Sequence, residues 1–241
     1  MSLGISLISS SDRKFCPVAV VNTWVDRLNW QNGPMDVATD LVEAFLRSNG
    51  YLTLSELPIQ ALNKRDDWET VTDVDILALR FPGRVFMADP RDEEQAAYLE
   101  VMGVPLFLEE DTIDVIVGEV KQGEARFNPA IAEHQTLHTA LHRLAWIYGE
   151  GDLDQVVGDL GEKGVCYTPA RGGGTVRTRL VAFGQADEVT MNIIPIAVIL
   201  ERSVGRFESH EELLRSAGSS SAAASMLKLM HKNGFRISRD S

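Results

Sequence analysis

The run Thr112-Ile-Asp-Val-Ile-Val-Gly-Glu-Val-Lys121 constrains this chain more than any other segment. It is apolar on both faces over Ile113 to Val117, the mark of a central strand covered on both sides. Side chains alternate along a strand, so Glu119 and Lys121 share one face and Val120 points to the other. A carboxylate and an ammonium at the end of such a strand are costly to bury without partners. An adjacent, edge-on strand predicted over Asp73 to Arg80 carries a second acid, Asp75, flanked by Val74 and Ile76. Two acids converging at strand ends beside a lysine can hold a hard cation, and Mg2+ prefers oxygen ligands while keeping several waters. A lysine next to metal-bound water can orient it, or stabilise charge developing on a phosphate.

The neighbouring segments place this pair of strands in a larger pattern. A helix is predicted from Met35 to Ser48, with Val37, Leu41, Ala44, Phe45 and Ser48 on one face. Asp36 and Asp40 lie in its first turns, where the helix dipole favours acids, and Asn49-Gly50 stops it. Glu43 is placed away from the apolar stripe, beside Asp36, Asp40 and Arg47. Tyr51 to Ile59 reads as a strand, Asn63 to Thr70 as a polar turn region, and Pro82-Gly83 ends the Asp75 strand. Residues 84–111 form an acidic insertion (Asp89, Asp92, Glu93, Glu94) with a short helix expected near Glu93 to Met102. After the central strand, Asn128 as N-cap and Pro129 at the first helical position open a helix predicted to run to Tyr148. Its buried stripe is Leu137, Leu141, Leu144 and Tyr148, and a further helix is expected over Leu153 to Leu160. Arg177 to Phe183 and Met191 to Glu201 read as strands, and residues 208–232 as one or two helices broken by the Gly218-Ser-Ser-Ser run. This order predicts an α/β protein with a mixed sheet between helices rather than strict βαβ alternation. Residues 1–33 are an N-terminal extension, 34–204 the core domain and 205–241 a C-terminal helical segment.

Charge bears on the partner. Lys and Arg total 23 against 35 Asp and Glu, a formal net charge of -12 over 241 residues. Proteins that bind nucleic acid through phosphates carry a basic surface, so here positive charge has to be gathered locally. The one basic, glycine-rich stretch is Arg171-Gly-Gly-Gly-Thr-Val-Arg177-Thr-Arg179. Backbone N–H groups of such a loop can cradle phosphate and arginines can pair with it, which makes Arg171, Arg177 and Arg179 the first candidates for nucleic-acid contact. A flexible hairpin connection is the alternative, since P-loop spacing and its Lys-Ser/Thr ending are missing.

Other chemistries find less support. Cys16 and Cys166 have no CxxC or Cys/His ligand spacing, so two unpaired thiols in a reducing compartment are expected. No run approaches the ~20 apolar residues of a membrane span, and the polar, Ser-rich start is no secretory signal. A soluble, cytoplasmic protein is expected. His134, His138 and His142 recur every four residues and flank the Leu137/Leu141/Leu144 stripe as boundary residues. A zinc site is the alternative, but no Glu follows His134 as in HExxH and no distant ligand can be named. No Gly-x-Ser-x-Gly elbow and no GxGxxG after a strand is present, so triads and dinucleotide folds are not supported.

The succession of helix with Glu43, strand, strand with Asp75, strand with Glu119-Val120-Lys121, and helix resembles the PD-(D/E)XK nuclease superfamily, which includes many restriction enzymes, archaeal Holliday-junction resolvases and repair nucleases. Glu43 stands seven positions before Gly50, Asp75 lies in Asp73-Val-Asp-Ile-Leu-Ala-Leu, and Glu119 follows Asp114-Val-Ile-Val-Gly. The resemblance covers roughly residues 36–148 and implies a restriction-endonuclease-like mixed sheet with N- and C-terminal additions. It implies that Asp75 and Glu119 bind Mg2+ (or Mn2+) directly, with the Val120 carbonyl as third ligand. Lys121 would position or activate the attacking water, and Glu43 would reach the site directly or through water. The implied reaction is phosphodiester hydrolysis, with DNA as partner and a homodimer or a partner protein as a further expectation. Some groups of the superfamily place a Gln on the following helix near the DNA, which here points to Gln135; a solvated helix-shoulder residue is the alternative. The sequence departs from the pattern where residues 84–111 replace a short hairpin turn, which leaves Asp73 or Asp114 as competitors for the role of Asp75. A nuclease fold that binds nucleic acid or protein without catalysis is the rival reading.

Overall fold

The computed structural model describes residues 36–88, 91, 97–99, 101, 103–211 and 221–235. The N-terminal extension, the acidic residues Asp89 to Glu94, the core of the predicted Glu93 to Met102 helix, Cys16 and residues 218–220 of the Gly218-Ser-Ser-Ser run lie outside the described residues.

Helix α1 spans Val37–Ser48, with Asp36 as N-cap accepting the Ala38 N–H at 3.1 Å. Its buried side carries Leu41, Val42, Phe45 and Leu46, each stabilising the fold by about 1.5–3 kcal/mol on burial. Strands β1 (Leu52–Leu62) and β2 (Trp68–Arg80) form an antiparallel hairpin that extends beyond both predicted strands. Within the insertion, β3 (Val85–Phe86) and β4 (Tyr98–Leu99) make a two-stranded ribbon, followed by one helical turn, Gly103–Leu106. β5 is Thr112–Glu124. Three helical pieces follow where one long helix was predicted: a 3-10 turn at Pro129–Ala132, α2 at His134–His142 and a second 3-10 turn at Ala145–Ile147. Asn128 does cap the first piece through Ala130 N, but Glu133 has extended backbone (φ -66, ψ 139) and breaks the run. Helix α3 is Asp152–Lys163, β6 is Val165–Pro169, β7 is Thr175–Gln185 and β8 is Ile193–Pro195. Helix α4 occupies Ile196–Ser209 and α5 Ala222–Lys232.

The predicted strand over Met191 to Glu201 is therefore corrected. Only three of its residues pair with β7, and the helix begins directly after Pro195. α4 also crosses the 204/205 boundary. It ties back to α1, for Arg206 donates to Ser48 O and to Asn49 Oδ1 at the C-terminal end of α1. α5 is tied to the same helix by Ala223 N donating to Asp40 Oδ2 at 2.8 Å.

The sheet order is β1-β2-β5-β7-β6, with β8 also on β7. β5–β7 and β7–β8 are parallel and the other pairs antiparallel, so the sheet is mixed. β2 is an interior strand, correcting its predicted edge-on position. One face of the sheet presents Leu77, Leu79, Val115, Val117, Val176 and Leu180 to α2 and α3. The other presents Ile76, Ala78, Ile116, Val181 and Phe183 to α1, α4 and α5. This α/β class with helices on both faces matches the predicted one. β5 reads as a near-continuous apolar run over Ile113 to Val117 because both of its faces are covered. Gly184 is needed where β7 passes close to the chain leaving β5: a Cβ there would meet Ala125 backbone atoms at 2.8 Å.

Candidate active site

The β2–β5 ladder ends at Ile76 opposite Gly118. One step beyond that pair stand Asp75 and Glu119. There the strands part, and the Asp75 carboxylate takes over as acceptor: Oδ2 receives the Val120 N–H at 2.7 Å. A side chain thus satisfies a backbone donor that the ladder no longer serves. Val120 packs with the core on the α1 side, so Glu119 and Lys121 share the opposite face, as alternation predicts.

Lys121 Nζ donates to Glu119 Oε1. The Glu119 side chain is 3% exposed and that of Lys121 38%, so an ammonium on the rim closes over a carboxylate beneath it. Glu119 Oε2 is buried with no hydrogen-bond partner. Such an atom is costly to leave unmet, and a cation or a proton would satisfy it. Burial raises the pKa of Glu119; the hydrogen bond and charge of Lys121 pull it back and the Asp75 charge adds to the rise. Burial also raises Asp75, opposed by the Val120 N–H and Lys121 and reinforced by Asp73 and Asp36.

Asp75, Glu119 and Lys121 are thus brought together across the long insertion. The two competitors go elsewhere. Asp73 is exposed on β2. Asp114 is buried further back along β5 between Arg177 and Arg179, at 2.7 Å from Arg177 Nε and 2.9 Å from an Arg179 terminal nitrogen. Its remaining partner is the Tyr51 hydroxyl.

Glu43 does not lie on the solvent side as expected. It is 4% exposed, and its Oε1 accepts from Arg47 at 2.6 Å and from Thr53 Oγ1 at 2.7 Å. Thr53 faces Ala78, and Ser55, whose hydroxyl donates to the same oxygen at 3.5 Å, faces Ile76, so the Glu43 carboxylate is held along β1. Two residues not named as site candidates from the sequence meet just past Lys121. Gln122 Nε2 donates to Asp36 Oδ1 at 2.8 Å, which brings the start of α1 beside β5 just past Lys121. The signal for Asp36 is its N-cap position, obscured by starting the helix two residues early.

The arginines predicted to touch nucleic acid need correction. The side chains of Arg177 and Arg179 are wholly buried. Besides Asp114 they bind the Leu106, Phe107 and Met191 carbonyls, fastening the insertion's last turn to the sheet. Guanidinium groups so enclosed cannot meet a phosphate. Arg171 is exposed in the β6–β7 turn, so this loop is a hairpin connection. It adjoins the Thr112/Thr175 end of the sheet, about 23 Å from Glu119 at ~3.3 Å per strand residue. Gln135 is an exposed residue of α2.

The histidines form a ladder along α2. His134 and His138 rings lie 6.1 Å apart, His138 and His142 5.8 Å, and His138 Nε2 is 3.6 Å from Asp154 Oδ1. They flank the leucine stripe as expected. Cys166 is a free, buried thiol donating to Asp159, and burial with that carboxylate pushes its pKa up to about 11. No described helix is long and apolar enough to cross a membrane.

No family model, curated protein or solved structure matches the chain. The reading of the site therefore rests on its chemistry.

Among the described residues no three His, Cys, Asp or Glu side chains converge as a complete metal cage. Magnesium does not need one, because it keeps several waters and takes one or two carboxylates. Asp75 and Glu119, with its unmet oxygen, have the donor chemistry for such a water-completed site. Their raised proton affinities yield an expected result. Asp75→Asn keeps the acceptor for Val120 N–H and removes a charge opposed by burial and by its acidic neighbours. A carboxyl whose folded pKa is raised contributes stability at low pH that is lost as pH rises through that pKa. At pH 7 without divalent ions, Asp75→Asn is therefore expected to melt higher than the wild type. The gain should vanish below the ordinary carboxylate range. Circular-dichroism melts at both pH values check this, and a lower midpoint at pH 7 would refute it.

Proposed function

We propose that the protein is a metal-dependent nuclease that hydrolyses phosphodiester bonds of DNA. The observation that carries this is the meeting of Asp75 with Glu119 and Lys121 where β2 and β5 part, with Glu119 Oε2 buried and unmet. Asp75, Glu119 and the Val120 carbonyl would hold Mg2+ or Mn2+. When bound, the ion supplies charge for a phosphoryl oxygen and acidifies water. Lys121, released from Glu119, has the reach and exposure to orient that water or to steady charge on the phosphate. Val120, packed beneath, fixes the strand, and the Asp75 bond to its N–H holds the carboxylate in place.

One observation favours a second reading, a nuclease fold that binds without cutting. Glu119 and Lys121 pair with each other, as a site that has exchanged its cation for an internal ammonium would. The net charge of -12 suits a protein partner as well as a nucleic acid.

Cleavage of linear, circular and single-stranded DNA with Mg2+ or Mn2+, beside calorimetric titration of the metal, separates the two. Metal uptake with cleavage supports the nuclease. Neither cleavage nor metal uptake would transfer the proposal to the non-catalytic module.

A further inference from the structure

Alternation along the β1–β2 hairpin slips at one level. From Ile76 onward β2 alternates between the two faces, with Leu77 and Leu79 on the α2 side and Ile76 and Ala78 on the α1 side. Before that point it is Val74, not Asp75, that joins the Leu77 face. β1 slips at the same level. Leu52 and Leu54 stand opposite Leu79 and Leu77, whereas Leu57 and Ile59 pack on that same face. Residues directly opposite one another share a face, so both strands lose a step of their period of two. The pairing shows where. Ser55 faces Ile76 and Leu57 faces Val74, but the pair between them, Glu56 and Asp75, is missing from the ladder. Glu56 has a left-handed backbone, φ 52°. Among the described residues it is the one non-glycine residue inside a strand with such an angle; Asp66, Phe107 and Asp111 lie in connections. A side chain makes that conformation costly, and a left-handed residue within a strand bends it and re-aims a neighbour. The β2–β5 ladder ends at this level too, with Ile76 opposite Gly118, and there Asp75 accepts the Val120 N–H at 2.7 Å.

We infer that Glu56 is a positioning residue, whose left-handed backbone turns the hairpin so that Asp75 leaves the β1 ladder and its carboxylate reaches the Val120 N–H beside Glu119. The device lies in the main chain: the Glu56 side chain is exposed, and its removal matters only through the backbone angle that its replacement prefers. Strain held at one residue and repaid by the geometry of its neighbour is a recurrent feature of functional sites. The value of this positioning to catalysis rests on the reading of Asp75 as a ligand; the positioning itself does not.

The test is backbone amide exchange, followed by nuclear magnetic resonance, on metal-free wild type, Glu56→Gly and Glu56→Val. Glycine takes a left-handed angle without steric cost, whereas a β-branched side chain resists it. Glu56→Gly is expected to keep Val120 exchange within about twofold of the wild type, with a melting midpoint at or above it. Glu56→Val is expected to speed exchange at Val120 about tenfold or more, the scale of a lost bond to a charged acceptor. Val117, inside the β2–β5 ladder, should change little. With Mn2+, DNA cleavage should fall about a hundredfold in Glu56→Val, as for a displaced reacting group, and hold in Glu56→Gly. Val120 exchange unchanged in Glu56→Val, or accelerated as much in Glu56→Gly, would overturn the inference. Should the valine variant fail to fold, the φ of Glu56 in the wild type, measured from scalar couplings, decides: a left-handed angle supports the inference and an extended one overturns it. The expected exchange pattern in a protein that never cuts DNA would keep the positioning of Asp75 and remove the nuclease reading alone.

Discussion

Asp114→Asn should lower the thermal midpoint by about 10 °C or more. Asp114 accepts from Arg177 Nε, from Arg179 at both of its oxygens and from the Tyr51 hydroxyl, and the arginine side chains have no exposed surface. Removing one partner of a buried ion pair costs about 3–5 kcal/mol because the other charge stays buried and unmatched; here Arg179 loses its carboxylate partner, while Arg177 keeps Glu109 at 3.1 Å. At ~2–4 °C per kcal/mol for a chain of this size, a shift of that order follows. The exposed Asp111, whose left-handed φ of 56° asparagine tolerates, supplies the control: Asp111→Asn should stay within about 2 °C. The pH dependence adds a second handle. Burial by itself would raise the Asp114 pKa, but Arg179 and Arg177 outweigh it and hold it below the usual range. A depressed carboxyl contributes stability above its unfolded pKa that is lost as pH falls through the folded one. The wild type should therefore lose its advantage over Asp114→Asn only in strong acid, the opposite trend to Asp75→Asn. Equal melting of wild type and Asp114→Asn at neutral pH would mean that the arginines are not paired as described.

The second large effect is on activity. With Mg2+ or Mn2+, Lys121→Ala and Asp75→Ala should each reduce DNA cleavage by about a thousandfold or more, the scale on which a positioned proton-transfer or charge-stabilising group acts. The two variants should differ in how they fail. Asp75→Ala removes a proposed ligand and should lose metal uptake. Lys121→Ala removes the ammonium that competes for Glu119 Oε1 and should bind the ion at least as well as the wild type while cutting nothing. Cleavage surviving both substitutions would mean that the reacting groups lie elsewhere in the chain.

The strands that build the site were legible in the sequence for one reason. β5 is covered on both faces and so carries an uninterrupted apolar signal, against which Glu119 and Lys121 stand out. The same logic located β2 and Asp75, and the apolar spacing of Leu41 and Phe45 located α1. What escaped depended on distant partners. Arg177 and Arg179 read as surface cations beside a glycine-rich loop, because nothing local reveals that Asp114, far back in the chain, neutralises them. Glu43 read as solvent-facing because Thr53, which receives it, belongs to another element. Ile193 to Leu200 is as β-branched as a strand, yet Pro195 fits the start of a helix and α4 packs Ile199 and Val204 into the core. β6 was missed because Cys166 and Thr168, its buried positions, carry little apolar signal.

The strand pairings also set the order in which the molecule assembles. The β1–β2 hairpin closes through a short turn, in which Asn63 Oδ1 accepts from Arg65 N and Asp67 N. The β2–β5 and β5–β7 pairings must instead close the whole insertion and the α2–α3 crossover, and such non-local closure is slow. Asp75 and Glu119 sit on opposite sides of the first of these closures. Pulse-labelling hydrogen exchange during refolding should therefore protect the hairpin amides before those of Val117 and Gly118 on β5; simultaneous protection would contradict this order. The carboxylates then meet only once β5 has docked on β2, so that the hairpin, the first piece to close, holds Asp75 apart from Glu119.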